Sequence, residues 1–437
     1  MTRRSVLFGG AASLFAQWSA RKNVLFVICD DLNHDLGCYG ADVKSPHVDG
    51  LAARGVRFDR AYCQYPLCNP SRSSFLSGLR PSTTRVMDQQ TVLRRKDPSV
   101  VFMPDHFLAN GYFVGGAGKV FHHAKPNVAG FTEFDASEST SAGENAASKQ
   151  RYDKPAGDRT PNWLAFRGSD EGMSDTNTAT MVCEWMERAA RGSKPFFLVA
   201  GLKKPHLPWA VPEKYFDLYP KVTVPKEPAN QDIPKIALIT ELLDSAPPAS
   251  RSEAMAAYRA ATSYMDAQVG RMLQTLDRLK LRESTIVVLI GDNGFHLGDH
   301  ALWSKNTLFE RATRVPMMWA GPGIAKGVSP RTTELLDIYP TLVEMTGLPV
   351  PGRLEGKSIT PLLRRPDAAW DRPARSIVSR DNAMGRTVRT ERWRYVRWDG
   401  GVQASELYDH ASDSGEFVNL AARPEHAATV KRLSAML

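Results

Sequence analysis

No C-x-x-C pair of cysteines occurs in this chain, which excludes a thioredoxin-type redox motif and a zinc knuckle. No apolar run is long enough to cross a bilayer. No block of Lys and Arg interleaved with aromatic residues marks a nucleic-acid surface. Internal repeats and long low-complexity tracts are missing as well. What is present is an ordinary globular composition, 42% hydrophobic and 24% charged, able to bury a core. The 437 residues suffice for one large domain with a smaller companion.

Five cysteines are scattered along the chain: Cys29, Cys38, Cys63, Cys68 and Cys183. With Cys68 set aside, the other four allow at most two disulfides and read as buried thiols. The first 20 residues read as an export signal of twin-arginine type. Arg3-Arg4 precede the apolar stretch Val6–Phe15, and small residues follow at Ala16 and Ala20. The expected location is therefore periplasmic or secreted. Removing that segment takes away two arginines and no acid, so the net charge of +9 falls to +7. A basic balance suits a polyanionic substrate, though diffuse positive charge is also what a solvated surface carries.

Apolar runs rich in β-branched and aromatic residues occur at Asn23–Cys29, Tyr112–Gly115, Pro195–Ala200, Ser284–Ile290 and Val315–Trp319. Helical patterns separate several of them. The clearest spans Ala254–Leu279, where Tyr258, Ala261, Met265, Val269, Met272, Leu276 and Leu279 recur every three or four residues. Continuous apolar strands alternating with amphipathic helices predict an α/β fold, a mostly parallel sheet sandwiched by helices. Ligands in such sheets bind beyond the carboxyl ends of the strands. Asp30-Asp31 follow the first run, Lys119 and His122 the second, Lys203, Lys204 and His206 the third, and Asp292-Asn293 the fourth. Four strands release chargeable residues at one end, and that end is the predicted site.

Asp30, Asp31, Asp292 and Asn293 offer carboxylate and amide oxygens, hard donors that suit Ca²⁺ or Mg²⁺ rather than zinc. Adjacent carboxylates repel without a cation, which favours a metal over a simple turn-forming role for Asp30-Asp31. Cys68 precedes a helix predicted over Ser71–Leu79, whose free N–H groups suit an oxyanion. Arg72 in its first turn carries a planar fork for an oxyanion or carboxylate, whereas Arg80 reads as a surface residue. Lys119, Lys305, His122 and His206 are the candidates to stabilise developing negative charge. His123, His296 and His300 read as structural histidines.

Cys68-Asn69-Pro70-Ser71-Arg72, with Leu76 and Gly78 following, resembles the C-x-P-S-R-x-x-x-L-x-G signature of the type I sulfatases. Asn23–Gly40, Ser45–Asp49, Phe75–Arg85, Gly118–His122, Lys204–Pro208, Tyr264–Leu273 and Gly291–Lys305 extend the likeness toward the branch typified by iduronate-2-sulfatase. So do Glu406-Leu407-Tyr408-Asp409 and Asn419-Leu420.

The resemblance implies an alkaline-phosphatase-like sheet, with Cys68 oxidised to formylglycine by a maturation enzyme. It implies one divalent ion, calcium in preference to magnesium, held by Asp30, Asp31, Asp292, Asn293 and the residue made from Cys68. Arg72 and Lys119 would support the formylglycine hydrate and His122 would orient one of its hydroxyls. His206 and Lys305 would contact the sulfate, with His206 protonating the leaving alcohol. The implied substrate is a sulfated carbohydrate. Asn293 departs from iduronate-2-sulfatase, which has a histidine there, and this weakens the case for the same sugar.

The layout expected from that family is a catalytic domain over residues 22–340 and a smaller α+β subdomain over 341–437, with Asp337–Leu342 starting a helix between them. Arg392–Trp398 alternates arginine with aromatic or apolar residues, a strand that is either a basic lip over substrate or a charged edge. Polar Ala136–Pro161 reads as a gating loop or insertion, and Val222–Pro248 as an irregular connection. Two other functions stay open. One is a phosphonate or phosphate ester hydrolase, disfavoured because no second metal-ligand cluster is visible in the spacing. The other is an inactive exported glycan-binding protein whose Cys68 is never oxidised.

Overall fold

Asn23–Cys29 is apolar along its whole length because both its faces are buried in the computed structural model. Side chains alternate across a strand. Val24, Phe26 and Ile28 enter one core, and Leu25, Val27 and Cys29 enter another on the opposite face. Thr285–Gly291 divides the same way, with Ile286, Val288 and Ile290 on the first side and Val287 and Leu289 on the second. Each fully buried side chain of this size contributes roughly 1.5–3 kcal/mol. That gain is what allows charged groups to be held inside the same fold. The structure describes residues 21–152, 162–238 and 248–437, so the expected export signal lies outside the described residues.

The strands in chain order are β1 (Asn23–Cys29), β2 (Val56–Tyr62), β3 (Phe113–Gly118), β4 (Glu133–Asp135), β5 (Trp163–Phe166), β6 (Phe196–Leu202), β7 (Trp209–Pro212) and β8 (Thr285–Gly291). Next come β9 (Arg314–Val315), β10 (Met317–Ala320) and β11 (Gly327–Glu334). The last four are β12 (Ala374–Arg380), β13 (Ala383–Arg389), β14 (Trp393–Trp398) and β15 (Ala404–Asp409). The main sheet runs β11-β2-β10-β8-β1-β6-β3-β4, with β9 added beside β2. β8, β1, β6, β3 and β4 are mutually parallel, and β10 is the antiparallel member between β2 and β8. β5 and β7 pair separately. The expected mostly parallel sheet covered on both faces is therefore present. The predicted long helix runs Pro248–Arg278 and puts Met265, Val269, Met272 and Leu276 on the second face.

β12 to β15 form an antiparallel sheet in chain order. β14 is one of its two central strands, paired with β13 on one side and β15 on the other, so the charged-edge reading of Arg392–Trp398 is corrected. The lip reading fails with it. Arg394 is fully buried and pairs with Glu310 and Glu416, while Arg392 pairs with Asp409. Arg394 is buried because its side of the strand faces this ion cluster, whereas Arg397 lies on the other side and bonds Ser434. The helix Ile338–Thr346 places Ile338, Tyr339, Leu342 and Val343 in the core of the main sheet. The polar segment after Ala136 is not merely a loop. It contains the helix Ala142–Tyr152, while residues 153–161 lie outside the described residues.

Candidate active site

The carboxyl ends of β1, β3, β6 and β8 converge because these strands are parallel neighbours. Asp30 and Asp31 follow β1, and Asp31 adopts a left-handed backbone with φ 60°. The adjacent ends of β3 and β6 approach closely through two glycines. A Cβ on Gly118 would lie 2.3 Å from the Gly201 carbonyl oxygen, and one on Gly201 would lie 2.1 Å from the Lys119 carbonyl carbon. This contact lets Lys119 N–H donate to the Gly201 carbonyl at 2.7 Å and fixes where the lysine leaves the sheet.

The helix carrying Arg72 spans Cys68–Ser77, so it starts three residues before the predicted Ser71. Pro70 does not delay it, because N–H groups of the first turn lack intrahelical partners anyway. Cys68 thus occupies the first helical turn itself, beside the positive end of the dipole. All ten residues of this helix are buried. Gly78, at φ 72°, closes it.

Cys68 meets the strand ends at this point. Its thiol donates to Asp30 Oδ1 at 3.1 Å, and Lys305 Nζ lies 2.8 Å from its Sγ. Lys305 also pairs with Asp31, and Lys119 pairs with Asp30. Arg72 Nε donates to Asp292 Oδ2 at 2.8 Å, and its Nη1 donates to the carbonyls of Lys119 and Val120. Asn293 Nδ2 donates to Asp31 Oδ1 at 2.8 Å. His206 Nε2 stands 3.7 Å from Asp31 Oδ2. Donor atoms of Asp30, Asp31, Cys68 and His206 all fall within 4.8 Å of one another.

Three buried carboxylates share three cations, and the sharing is uneven. Burial would raise Asp30, yet Lys119, His206, Arg72 and Lys305 together hold it well below the usual carboxylate range. Asp31 is likewise held low against burial, chiefly by Lys305 and His206. Asp292 is different. Burial pushes it up to about 7, Arg72 offsets part of this, and repulsion from Asp30 and Asp31 adds to it. Burial, then Asp30, drives the Cys68 thiol well above its ordinary value, so the unmodified side chain is a neutral thiol. Burial holds His206 down to about 4 despite both aspartates. Its Nδ1 is 2.7 Å from the Leu207 carbonyl, which can only accept, so Nδ1 carries the proton in the resting site.

The donor set fits a hard cation. Asn293 Oδ1 is buried without a hydrogen-bond partner, while Nδ2 of the same amide faces Asp31. His122 Nδ1 is also buried and partnerless beside the cleft. Burial, then Lys119, hold His122 down to about 3. A cleft of about 540 Å³ bounded by Lys119, His122, Lys203 and His206 leads to Asp30.

The structural histidines keep the roles expected of them: His123 bonds the Gln89 carbonyl, His296 bonds Thr307, and His300 stacks on Phe309. Arg80 is corrected. It forks onto buried Glu334 at 2.6 and 2.8 Å and ties the helix region to the end of β11. A second acid–histidine cluster does exist, made by Glu310, His410 and Glu416, but Arg389 and Arg394 already hold its carboxylates.

Glu144, Asp175 and Lys204 form a buried group around the loop that carries His206, and it was not predicted. Lys204 Nζ donates to the Pro208 carbonyl and lies 3.6 Å from Glu144. Asp175 accepts from the N–H groups of Lys203 and Lys204. No motif links these three positions; only the repeated lysine before His206 hinted at one member.

A family model described as Sulfatase matches residues 22–348, and one described as N-sulphoglucosamine sulphohydrolase, C-terminal, matches residues 298–437. The chain is similar to a sulfatase of Formosa agariphila, 33% identical over 95% of this chain and 86% of that protein. It is similar to the iduronate 2-sulfatase of Homo sapiens, 29% identical over 90% of this chain and 89% of that protein. Among solved structures, the phosphonate monoester hydrolase of Agrobacterium radiobacter superposes with a TM-score of 0.78. That match covers 95% of this chain and 94% of the other at 23% identity, a likeness of fold. The fold is the alkaline-phosphatase-like arrangement expected from the sequence.

Proposed function

The chain belongs to the sulfatase family, enzymes that hydrolyse esters of sulfuric acid, and on that premise we propose that it removes sulfate from a sulfated carbohydrate. The observation that carries this reading is the meeting of Cys68, in the first turn of a buried helix, with oxygen donors from β1 and β8 and with three fixed cations. A carbohydrate is favoured because of the relative named iduronate 2-sulfatase.

Oxidised to formylglycine by a maturation enzyme and hydrated, position 68 supplies a hydroxyl nucleophile. A single divalent ion, calcium in preference to magnesium, would supply positive charge beside that hydroxyl. Asp30, Asp31, Asp292 and Asn293 would hold that ion; a half-turn of the Asn293 amide brings its partnerless oxygen to where Nδ2 now faces Asp31. The ammonium groups of Lys119 and Lys305, now paired with Asp30 and Asp31, would face the sulfuryl oxygens. They stabilise the charge that develops there. Arg72 stays on Asp292 and the two backbone carbonyls, fixing the helix start against β3 and β8. His122 presents a ring nitrogen toward the hydrate. His206, which burial keeps neutral in the resting site, stands where it would hand a proton to the departing alcohol once the bound sulfate adds its charge to that of Asp30 and Asp31.

Export to the periplasm or beyond completes the reading, on the strength of Arg3-Arg4 and the apolar stretch after them. A second reading, hydrolysis of a phosphonate or phosphate ester by the same residues, draws on the fold shared with the phosphonate monoester hydrolase. Paired rates on an aryl sulfate and the matching aryl phosphate, followed by a panel of defined sulfated oligosaccharides, test both. Faster sulfate turnover and release of sulfate from at least one saccharide are expected. Faster phosphate or phosphonate turnover would overturn the proposal.

A further inference from the structure

His206 follows β6 on a short loop, residues 203–208, and two buried side chains grip that loop at its ends. Asp175, in the first turn of the helix Ser174–Ala189, accepts the N–H groups of Lys203 and Lys204 at 2.6 and 2.9 Å. Lys204 Nζ turns back and donates to the Pro208 carbonyl at 2.8 Å, so one lysine spans the loop from one side of His206 to the other. Between these anchors, His206 N–H donates to the Lys203 carbonyl at 2.8 Å, and Trp209 Nε1 donates to the Pro205 carbonyl at 2.7 Å. The His206 ring uses Nδ1 on the Leu207 carbonyl, which leaves Nε2 toward Asp31.

The grip extends into the polar insertion. Glu144, in the helix Ala142–Tyr152, lies 3.6 Å from Lys204 Nζ. It also accepts from the N–H and the hydroxyl of Ser174, each at 2.8 Å. Ser174 is next to Asp175 in the chain, so one continuous set of bonds joins two helices to the loop. Lys204, Glu144 and Asp175 are all buried. A buried ion pair yields little net stability, because desolvation offsets its attraction, and well-packed apolar side chains would serve a core as well. What this pair supplies is a fixed distance across the turn that presents His206.

We propose that Lys204 is a positioning residue for His206. Through the Pro208 carbonyl, with Glu144 and Asp175 behind it, it holds the imidazole where the departing alcohol takes up a proton. The inference rests on reading His206 as the proton donor in sulfate ester hydrolysis. When the S–O bond breaks, its electron pair stays on the alcohol oxygen and the proton from His206 neutralises it. An acidic alcohol departs as its anion and needs little of this help, whereas a poor leaving group depends on it. A shift of about 1 Å in such a donor can cost about 10²-fold in rate. Loss of the lysine should therefore penalise poor leaving groups selectively, which a lower yield of folded protein would not do.

The test is kcat/KM on para-nitrophenyl sulfate and on phenyl sulfate, for the mature full chain and for Lys204→Met/Glu144→Gln. The second substitution removes the carboxylate charge that the first would strand. The variant should lose at least about tenfold more on the phenyl ester than on the nitrophenyl ester. That selectivity should vanish in a His206→Ala background, where the residue being positioned is gone. Equal losses on both esters, or selectivity that survives His206→Ala, overturns the proposal. Should the double variant fail to fold, Asp175→Asn opens the other end of the same loop, with the same expectation and the same overturning results. Magnetic resonance of the full chain labelled on its histidine nitrogens gives a second readout: the His206 ring signals should move in the variant, and unmoved signals overturn the proposal. Moved signals in a chain that cleaves neither ester would sink the catalytic reading and leave the positioning of His206 standing.

Discussion

Calcium binding at the Asp30–Asp292 cluster should release a proton below neutral pH and almost none above it. The reason lies in Asp292, which burial and its neighbouring aspartates push up to about 7 while Arg72 offsets only part of the effect. An acid with a raised pKa keeps its proton until the pH passes that value, and a cation needs the ionised form. One unit below the pKa, near pH 6, Asp292 is about 90% protonated, so each ion bound displaces about 0.9 proton; near pH 8 the figure is about 0.1.

Apparent calcium affinity should therefore fall about tenfold between those conditions, roughly 1.4 kcal/mol. Asp30 and Asp31 are held low and His206 near 4, so the other charged neighbours do not titrate in this window. Titration calorimetry in two buffers of different ionisation enthalpy measures the proton count directly. Asp292→Asn should flatten the pH dependence and weaken binding. Equal proton release at both pH values, or an unchanged profile in Asp292→Asn, would refute the assignment of Asp292 as a ligand held partly protonated.

Lys305→Met should lower kcat by about 10²–10³, because it removes a fixed positive charge beside the reacting group; steady-state rates on an aryl sulfate check this. Gly201→Ala should reduce both activity and thermal stability, since the added Cβ would stand 2.1 Å from the Lys119 carbonyl carbon and push the lysine out of place; a melting curve with a rate assay reads both. Arg394→Ala should cost about 3–5 kcal/mol in urea denaturation, leaving Glu310 and Glu416 buried with less counter-charge. Arg392→Ala, an exposed residue just before that strand, should leave the unfolding midpoint unchanged within error.

The convergence of Asp30, Lys119, His206 and Asp292 was legible in the sequence because parallel strands put their carboxyl ends on one side, and each apolar run ended in a polar cluster. The start of the catalytic helix was not, because Pro70 looks like a residue that precedes a helix when it actually lies inside the first turn. Arg394 was hidden by alternation itself. A period-2 pattern shows that a strand has two faces, but not that Arg394 is buried on the same side as Val396 and Trp398. Glu144, Asp175 and Lys204 meet only through tertiary packing across 29 and more residues, beyond any local pattern. Arg80 was misjudged for the same reason, since its partner Glu334 lies 254 positions away.

The central claim is that position 68 performs the chemistry. The most direct measurement is aryl sulfate turnover by Cys68→Ala, set beside that of the unmutated chain matured in a host with a formylglycine-generating enzyme. The account predicts turnover in the mature chain, whose Cys68 peptide is about 18 Da lighter than the thiol form, and none above background in the folded variant. Sulfate ester cleavage by Cys68→Ala at the rate of the unmutated chain would contradict it.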